Sequence, residues 1–239
     1  MAPIMVYTGG TGASAVHAGS LLKKWGISTV DHPTPEVTHL LLDVPVREIS
    51  TTLLERLPEK LTVVGGNLSI PELDGYETLD LLKTESYLAR NAAITAECAL
   101  QVAMERSRRI LSDTSVLVIG WGRIGKCLSN LLKQIGCSVT VAARKETDLA
   151  ILEALGYRTA DPRSIRRPGR FSVIFNTVPS PVLGTDILDA CPDTLKIDLA
   201  SSPGLSGSDV VSARGLPGIY APESSGQLIA ETFLKEVSP

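Results

Sequence analysis

The sequence predicts an α/β protein: a doubly wound parallel sheet of the Rossmann type with a smaller, flavodoxin-like α/β domain ahead of it. Three observations carry this. Short apolar runs alternate with helix-period segments almost throughout, the pattern of βα units. The motif G-x-G-x-x-G at Gly120, Gly122 and Gly125 falls between such a run and such a segment. Twenty glycines and 15 prolines punctuate the alternation, as tight βα turns require.

The elements follow in order. Residues 3–7 form an apolar run that ends in Thr8-Gly9-Gly10-Thr11-Gly12, and residues 13–25 have helix spacing up to Gly26. Strands are predicted at 27–30, 39–42 and 61–64, with Pro33 and Pro35 in a turn and a short helix over 48–56. Residues 67–91, with Pro71, Gly75 and several carboxylates, lack a clear period. A long helix is predicted from Ala92 to Leu111, with Ile94, Cys98, Val102 and Ile110 on one face and Thr95 and Glu97 near its start. The boundary between a small domain (1–91) and a dinucleotide-type domain (92–223) is expected along it. Beyond it the alternation is cleaner. Strands are expected at 116–119, 139–142, 173–175 and 195–199, and helices at 123–135, 147–155, 184–190 and 224–237.

Composition narrows the function. The chain has 239 residues, 44% of them hydrophobic and 21% charged, enough apolar material for a packed core. A net charge of −3 with no long basic run argues against nucleic acid as a partner. The four cysteines, at 98, 127, 137 and 191, include no Cys-x-x-Cys pair, so reduced thiols are expected and no metal site. The first residues lack the basic-then-apolar pattern of a signal peptide, and no apolar run nears the roughly 20 residues a bilayer span needs. The expectation is a soluble, cytoplasmic protein with no membrane partner.

The dinucleotide signal is the most specific. In Gly120-Trp121-Gly122-Arg123-Ile124-Gly125 the first glycine permits the tight turn, the second lets backbone approach a pyrophosphate, and the third lets the helix pack closely on the strand. The helix start then offers N–H groups and a partial positive charge to the phosphates. The alternative is a structural glycine turn without a ligand. The next strand ends Ala142-Ala143-Arg144-Lys145, where NAD-selective domains carry a carboxylate for the ribose 2′-hydroxyl. A guanidinium suits a 2′-phosphate, so NADP is favoured over NAD, with Arg144 and Lys145 as its contacts. Asn176-Thr177-Val178-Pro179 follows the strand at 173–175 and belongs at the carboxyl edge, where it can hold a loop beside the nicotinamide ribose; a plain proline turn is the alternative. Asp198-Leu199-Ala200-Ser201-Ser202 lies one strand further on, with Ala200 leaving room for a ring and Asp198 read either as a buried helix or loop anchor, the favoured reading, or as a site group. All three histidines, at 17, 32 and 39, lie in the first domain, which disfavours a 2-hydroxy-acid dehydrogenase with a proton-shuttling histidine in its nucleotide half.

Taken together, these segments resemble the A-subunit family of bacterial dipicolinate synthase. The resemblance rests on Ile94-Thr95-Ala96-Glu97, on Val118–Lys126 around the glycine motif, on Asn176–Ser180, on Ile197–Gly204 and on the tail Gly215–Gln227. It is good over about residues 90–237 and mainly one of layout before that. It implies a two-domain fold like the formate and glycerate dehydrogenases, with the last helix (224–237) returning to the first domain. It also implies NADP-linked oxidation of dihydrodipicolinate to dipicolinate, a second, flavoprotein-like component as partner, and a homo- or hetero-oligomer. Because the product is aromatic, hydride loss is favourable without a strong base. The N-terminal half is shorter than the family leads one to expect. A dicarboxylate needs two anion sites, and the helix start after Gly9-Gly10-Thr11-Gly12 is one candidate. Thr11, Glu97 and Ser201 are the candidate catalytic residues; Glu97 reads alternatively as a carboxylate interacting with a helix N-terminus. Two other functions stay open: an imine or keto-acid reductase on the same scaffold, and a non-catalytic dinucleotide-binding partner protein.

Overall fold

A computed structural model describes residues 3–237. The chain divides into two units, Met1–Asn91 with Pro217–Pro239, and Ala92–Leu216. Each is built on its own all-parallel sheet.

In the first unit, β1 (Met5–Thr8), α1 (Ala13–Lys24), β2 (Ser28–Val30), β3 (His39–Leu41), α2 (Thr51–Leu54), β4 (Thr62–Gly65) and β5 (Glu77–Asp80) follow one another. The strands lie in the order β2-β1-β3-β4-β5, the flavodoxin-like winding. Leu40, Leu42 and Val63 are buried in its core, as the continuous apolar runs of parallel strands demand. The helix α3 (Glu85–Arg106) starts in this unit and ends in the second.

The second unit runs β6 (Ser115–Ile119), α4 (Arg123–Gln134), β7 (Ser138–Ala142), α5 (Glu146–Ala154), β8 (Arg158–Ala160), β9 (Val173–Asn176), α6 (Thr185–Leu188), β10 (Leu195–Asp198) and β11 (Val211–Ser212). Its order, β11-β10-β9-β6-β7-β8, is the Rossmann order. Leu117, Ile119, Ile174 and Leu183 form part of its core. A short helix, α7 (Leu216–Tyr220), leads to α8 (Pro222–Val237). The latter packs on α1 so tightly that a Cβ at Gly226 would lie 2.6 Å from the Ser14 carbonyl oxygen and 2.8 Å from the His17 Cβ. Phe233 of α8 meets the His39 ring edge-on at 5.4 Å between centroids.

Three strands escape the apolar-run reading: β5, β8 and β11. All three are sheet edges. An edge strand buries little, so Glu77-Thr78-Leu79-Asp80 and Arg158-Thr159-Ala160 carry no apolar run to read. The long helix begins at Glu85, seven residues before Ala92, and ends at Arg106; Leu111–Asp113 is a separate 3-10 turn. The polar stretch ahead of Ala92 hid two helical turns that Tyr87, 1% exposed, pins into the core.

Candidate functional site

In an open parallel sheet, ligands bind at the carboxyl edge where the winding reverses. In the second unit that point lies between β6 and β9, and the glycine motif leaves β6 there. Gly120 has φ +106°, and a Cβ on it would collide with the Thr177 hydroxyl and lie 2.9 Å from a Val178 methyl. A Cβ on Gly125 would run into the Gly120 carbonyl. These two glycines are required by the chain's own packing. Gly122 is not: a Cβ there meets nothing within 4 Å, and its φ of −79° suits any residue. The space over Gly122 at the α4 N-terminus fits the pyrophosphate of a dinucleotide, which needs close backbone approach and N–H donors.

The neighbouring residues have distinct jobs. Trp121 is half-buried beside Tyr157, edge-on at 5.7 Å, with the Lys126 ammonium 5.9 Å above its ring. Arg123 opens α4 at the surface and Ile124 is half-buried. The Thr177 hydroxyl donates to the Ile119 carbonyl at 2.9 Å, clamping the β9 loop onto the β6 end. Asn176 is wholly buried, donating to Asp198 Oδ1 at 2.8 Å and to the Val178 carbonyl at 3.0 Å while accepting from the Val178 N–H at 3.1 Å. Its amide is spent on holding the loop, which makes Asn176 a positioning residue. Val178 is half-buried and Pro179 exposed on the same loop.

Asp198 is the hub of this edge. Besides Asn176 it accepts from the backbone N–H groups of Ala200, Gly204 and Leu205 at 3.2, 2.8 and 3.1 Å. A buried carboxylate is tolerable only when hydrogen-bonded in this way. The anchor reading of Asp198 agrees with this geometry. Ala200 is buried beneath the loop and its carbonyl accepts from Arg214 Nε at 3.0 Å, while Ser201 stands exposed.

At the end of β7, Arg144 and Lys145 are exposed, and neither forms an ion pair among the described residues. Asp161, which follows β8 alongside, is committed to Arg163, whose Nη2 lies 2.6 Å from its Oδ2. Those bonds from the Arg163 side chain and backbone hold its carboxyl below the usual range. The first unit has a different carboxyl edge. The N–H groups of Thr11 and Gly12, the candidate anion site, donate instead to Asp43 at 3.2 and 2.9 Å. The α1 start is thus filled by the chain's own anion. Glu97 is exposed in the interior of α3, twelve residues past its start, and not near its beginning. Helix-dipole effects fade within the first turn, so the reading of Glu97 as an N-terminal helix carboxylate is corrected. Glu97 and Ser201, both in the second unit, share no hydrogen bond.

All four cysteines are free thiols. Among the described residues no cluster of His, Cys, Asp or Glu forms a metal site, and no helix is long and apolar enough to cross a membrane. Sequence reasoning placed Thr177 in a loop beside the cofactor site and missed its clamp on Ile119 and the Asp43 plug; an aspartate two residues past a parallel strand, facing a glycine-rich turn, is the available signal for the latter.

This geometry defines a class: an α/β fold of the Rossmann type with an open glycine loop at its switch point. Comparison with known proteins narrows it. No protein-family model matches the chain. In sequence it is similar to the A subunit of dipicolinate synthase of Bacillus subtilis (strain 168), 28% identical over 165 residues, which span 65% of this chain and 56% of that protein. The match thus covers a little over half of the relative's length. In fold it is similar to the crystal structure of the A subunit of dipicolinate synthase from Bacillus halodurans, with TM-score 0.84 and 22% identity over 100% of this chain and 99% of that one. It is also similar to L-alanine dehydrogenase, with TM-score 0.69 and 10% identity over 98% of this chain and 80% of that one. The resemblance read from the motifs is therefore found in both sequence and fold.

Proposed function

We propose that the chain is the dinucleotide-binding component of an oxidoreductase that moves hydride between NADP and a small cyclic dicarboxylate, oxidising dihydrodipicolinate to dipicolinate. The observation that carries the dinucleotide part is the open space over Gly122 at the α4 start, bounded by two glycines whose Cβ positions the chain itself fills. The preference for NADP rests on Arg144 and Lys145, which form no ion pair among the described residues and stand where a ribose-binding carboxylate would otherwise be. The substrate and a flavoprotein-like partner rest on similarity to the A subunit of dipicolinate synthase.

Bound NADP would supply the hydride acceptor. The residues 120–125 would hold its pyrophosphate, with Arg144 and Lys145 at the 2′-phosphate and the 176–179 loop and Ala200 bordering the nicotinamide side. The substrate ring loses a hydride from carbon and a proton to solvent, and aromatisation drives the loss. The Thr11 side chain, its N–H being taken by Asp43, and Glu97 and Ser201 remain the proposed substrate-side groups, with residues 1–91 and the last helix as the substrate domain and 92–223 as the dinucleotide domain. Four free thiols and NADP chemistry fit a reducing cytoplasm.

Equilibrium dialysis against NADP and NAD tests the cofactor assignment. NADP should bind roughly tenfold tighter, and Arg144→Ala should remove about that tenfold for NADP alone. Equal affinity for both, unchanged by the substitution, sinks it. Reduction of NADP on adding dihydrodipicolinate then tests the reaction. A second reading, a dinucleotide-binding partner without turnover of its own, is favoured by the absence of any histidine from the second unit. Lack of turnover with and without a partner flavoprotein would select it, and turnover of imines or keto acids would select a reductase.

A further inference from the structure

The second unit has a groove of about 700 Å³ at the amino edge of its sheet, the edge opposite the glycine motif. Its walls come from the segment after α3 and from the residues that lead into β9 and β10. Four arginines line it: Arg106, Arg108, Arg109 and Arg170. None has an ion-pair partner among the described residues. Arg170 lies over the Phe171 ring at 4.8 Å, a contact that leaves its charge unneutralised. Of the two carboxylates in the lining, Asp209 is already committed. The Lys196 ammonium, wholly buried in β10, lies 2.6 and 2.8 Å from its two oxygens. Four cations therefore face one uncompensated carboxylate, Asp193.

That concentration stands out in this chain. The whole protein is net negative, and the first unit holds 14 Asp and Glu against 8 Lys and Arg. Like charges gathered in one concave place repel, and a bound anion relieves that repulsion. Guanidinium forks match phosphoryl oxygens bidentately, and several lining one groove favour a compact ligand of high charge. The volume lies in the range of roughly 300–1,000 Å³ typical of small-molecule sites.

We infer that this groove is a second ligand site, separate from the dinucleotide loop, for a small anion carrying two or more phosphoryl groups. Calorimetric titration with inorganic pyrophosphate tests it, in the full chain and in two variants. Wild type and Gly122→Val should each bind one pyrophosphate here with similar affinity, since the glycine loop is not involved. Arg108→Ala with Arg109→Ala should weaken it at least about tenfold and leave NADP binding unchanged. Replacing both by lysine, which keeps the charge and loses the fork, should fall between. The proposal is overturned if pyrophosphate does not bind, if it binds the doubly substituted chain equally, or if binding disappears in Gly122→Val. It is also overturned if polyglutamate or an oligonucleotide occupies the groove and pyrophosphate fails to displace it.

Discussion

The two units use the same device and arrive at opposite states. Each sends a glycine-rich loop from its first strand into a helix start at the point where the parallel sheet changes direction. In the first, Asp43 reaches in from the end of β3 and takes the N–H groups of Thr11 and Gly12. In the second, the matching strand end after β9 carries Thr177, whose hydroxyl turns back to the Ile119 carbonyl and leaves the space over Gly122 open. One residue on the neighbouring strand thus separates a self-satisfied turn from a receptive one. A helix start attracts an anion in either case; the difference is whether the chain supplies it.

The contrast can be broken from its strongest member downward. Asp198 holds the whole receptive edge, so Asp198→Ala leaves three backbone donors and Asn176 without their acceptor. Its expected cost is about 3 kcal/mol, seen as a fall in thermal midpoint together with loss of dinucleotide binding. Gly122→Val separates binding from folding. Its added side chain meets no protein atom within 4 Å at Cβ, so the midpoint should fall only by the worth of a poorer helix N-cap, about 1 kcal/mol, while dinucleotide affinity drops about a hundredfold. If affinity survives, the space over Gly122 is not the pyrophosphate seat. Asp43→Ala removes the plug and should cost about 1 kcal/mol, the usual worth of a lost helix cap. It should also make the first unit's stability rise more steeply with low-millimolar sulfate than the parent's, beyond the general stabilisation that sulfate gives any folded chain. A variant that responds to sulfate no more steeply than the parent would show that the plug alone does not distinguish the loops.

The smallest expected effect concerns pH. Burial beside Phe233 holds His39 below its ordinary pKa, with Glu77 partly opposing. The unfolded chain therefore takes up a proton first as pH falls below about 6.5, and the stability due to neutral His39 is lost from there downward. His39→Gln should flatten that part of a melting-temperature profile between pH 7.5 and 5.5 relative to wild type, on the order of a degree or two.

The legible parts of the sequence were those where one physical requirement dominates. Central strands such as Val116-Leu117-Val118-Ile119 are buried on both faces and read as apolar runs. The glycine motif was equally plain, since Gly120 and Gly125 sit where no side chain fits. Edge strands were not, because Arg158-Thr159-Ala160 pairs on one side only and answers to solvent on the other. The roles of Asn176 and Asp43 were hidden for a different reason. Both are set by partners on another strand end, 22 residues away for Asn176 and 31 or 32 for Asp43. A linear sequence names the residues in such a pair but not the pairing.

The Trp121 stack has a practical consequence. The chain has only two tryptophans, and the other, Trp25, stands 41% exposed at the end of α1. Replacing Trp25 by phenylalanine leaves a single indole emitter one residue from Gly122. Its environment, a tyrosine edge and a lysine ammonium, is sensitive to anything that settles on the glycine loop. The protein therefore carries its own optical probe of that loop. Quenching on ligand addition, and energy transfer to a reduced nicotinamide, can be followed without attaching any label.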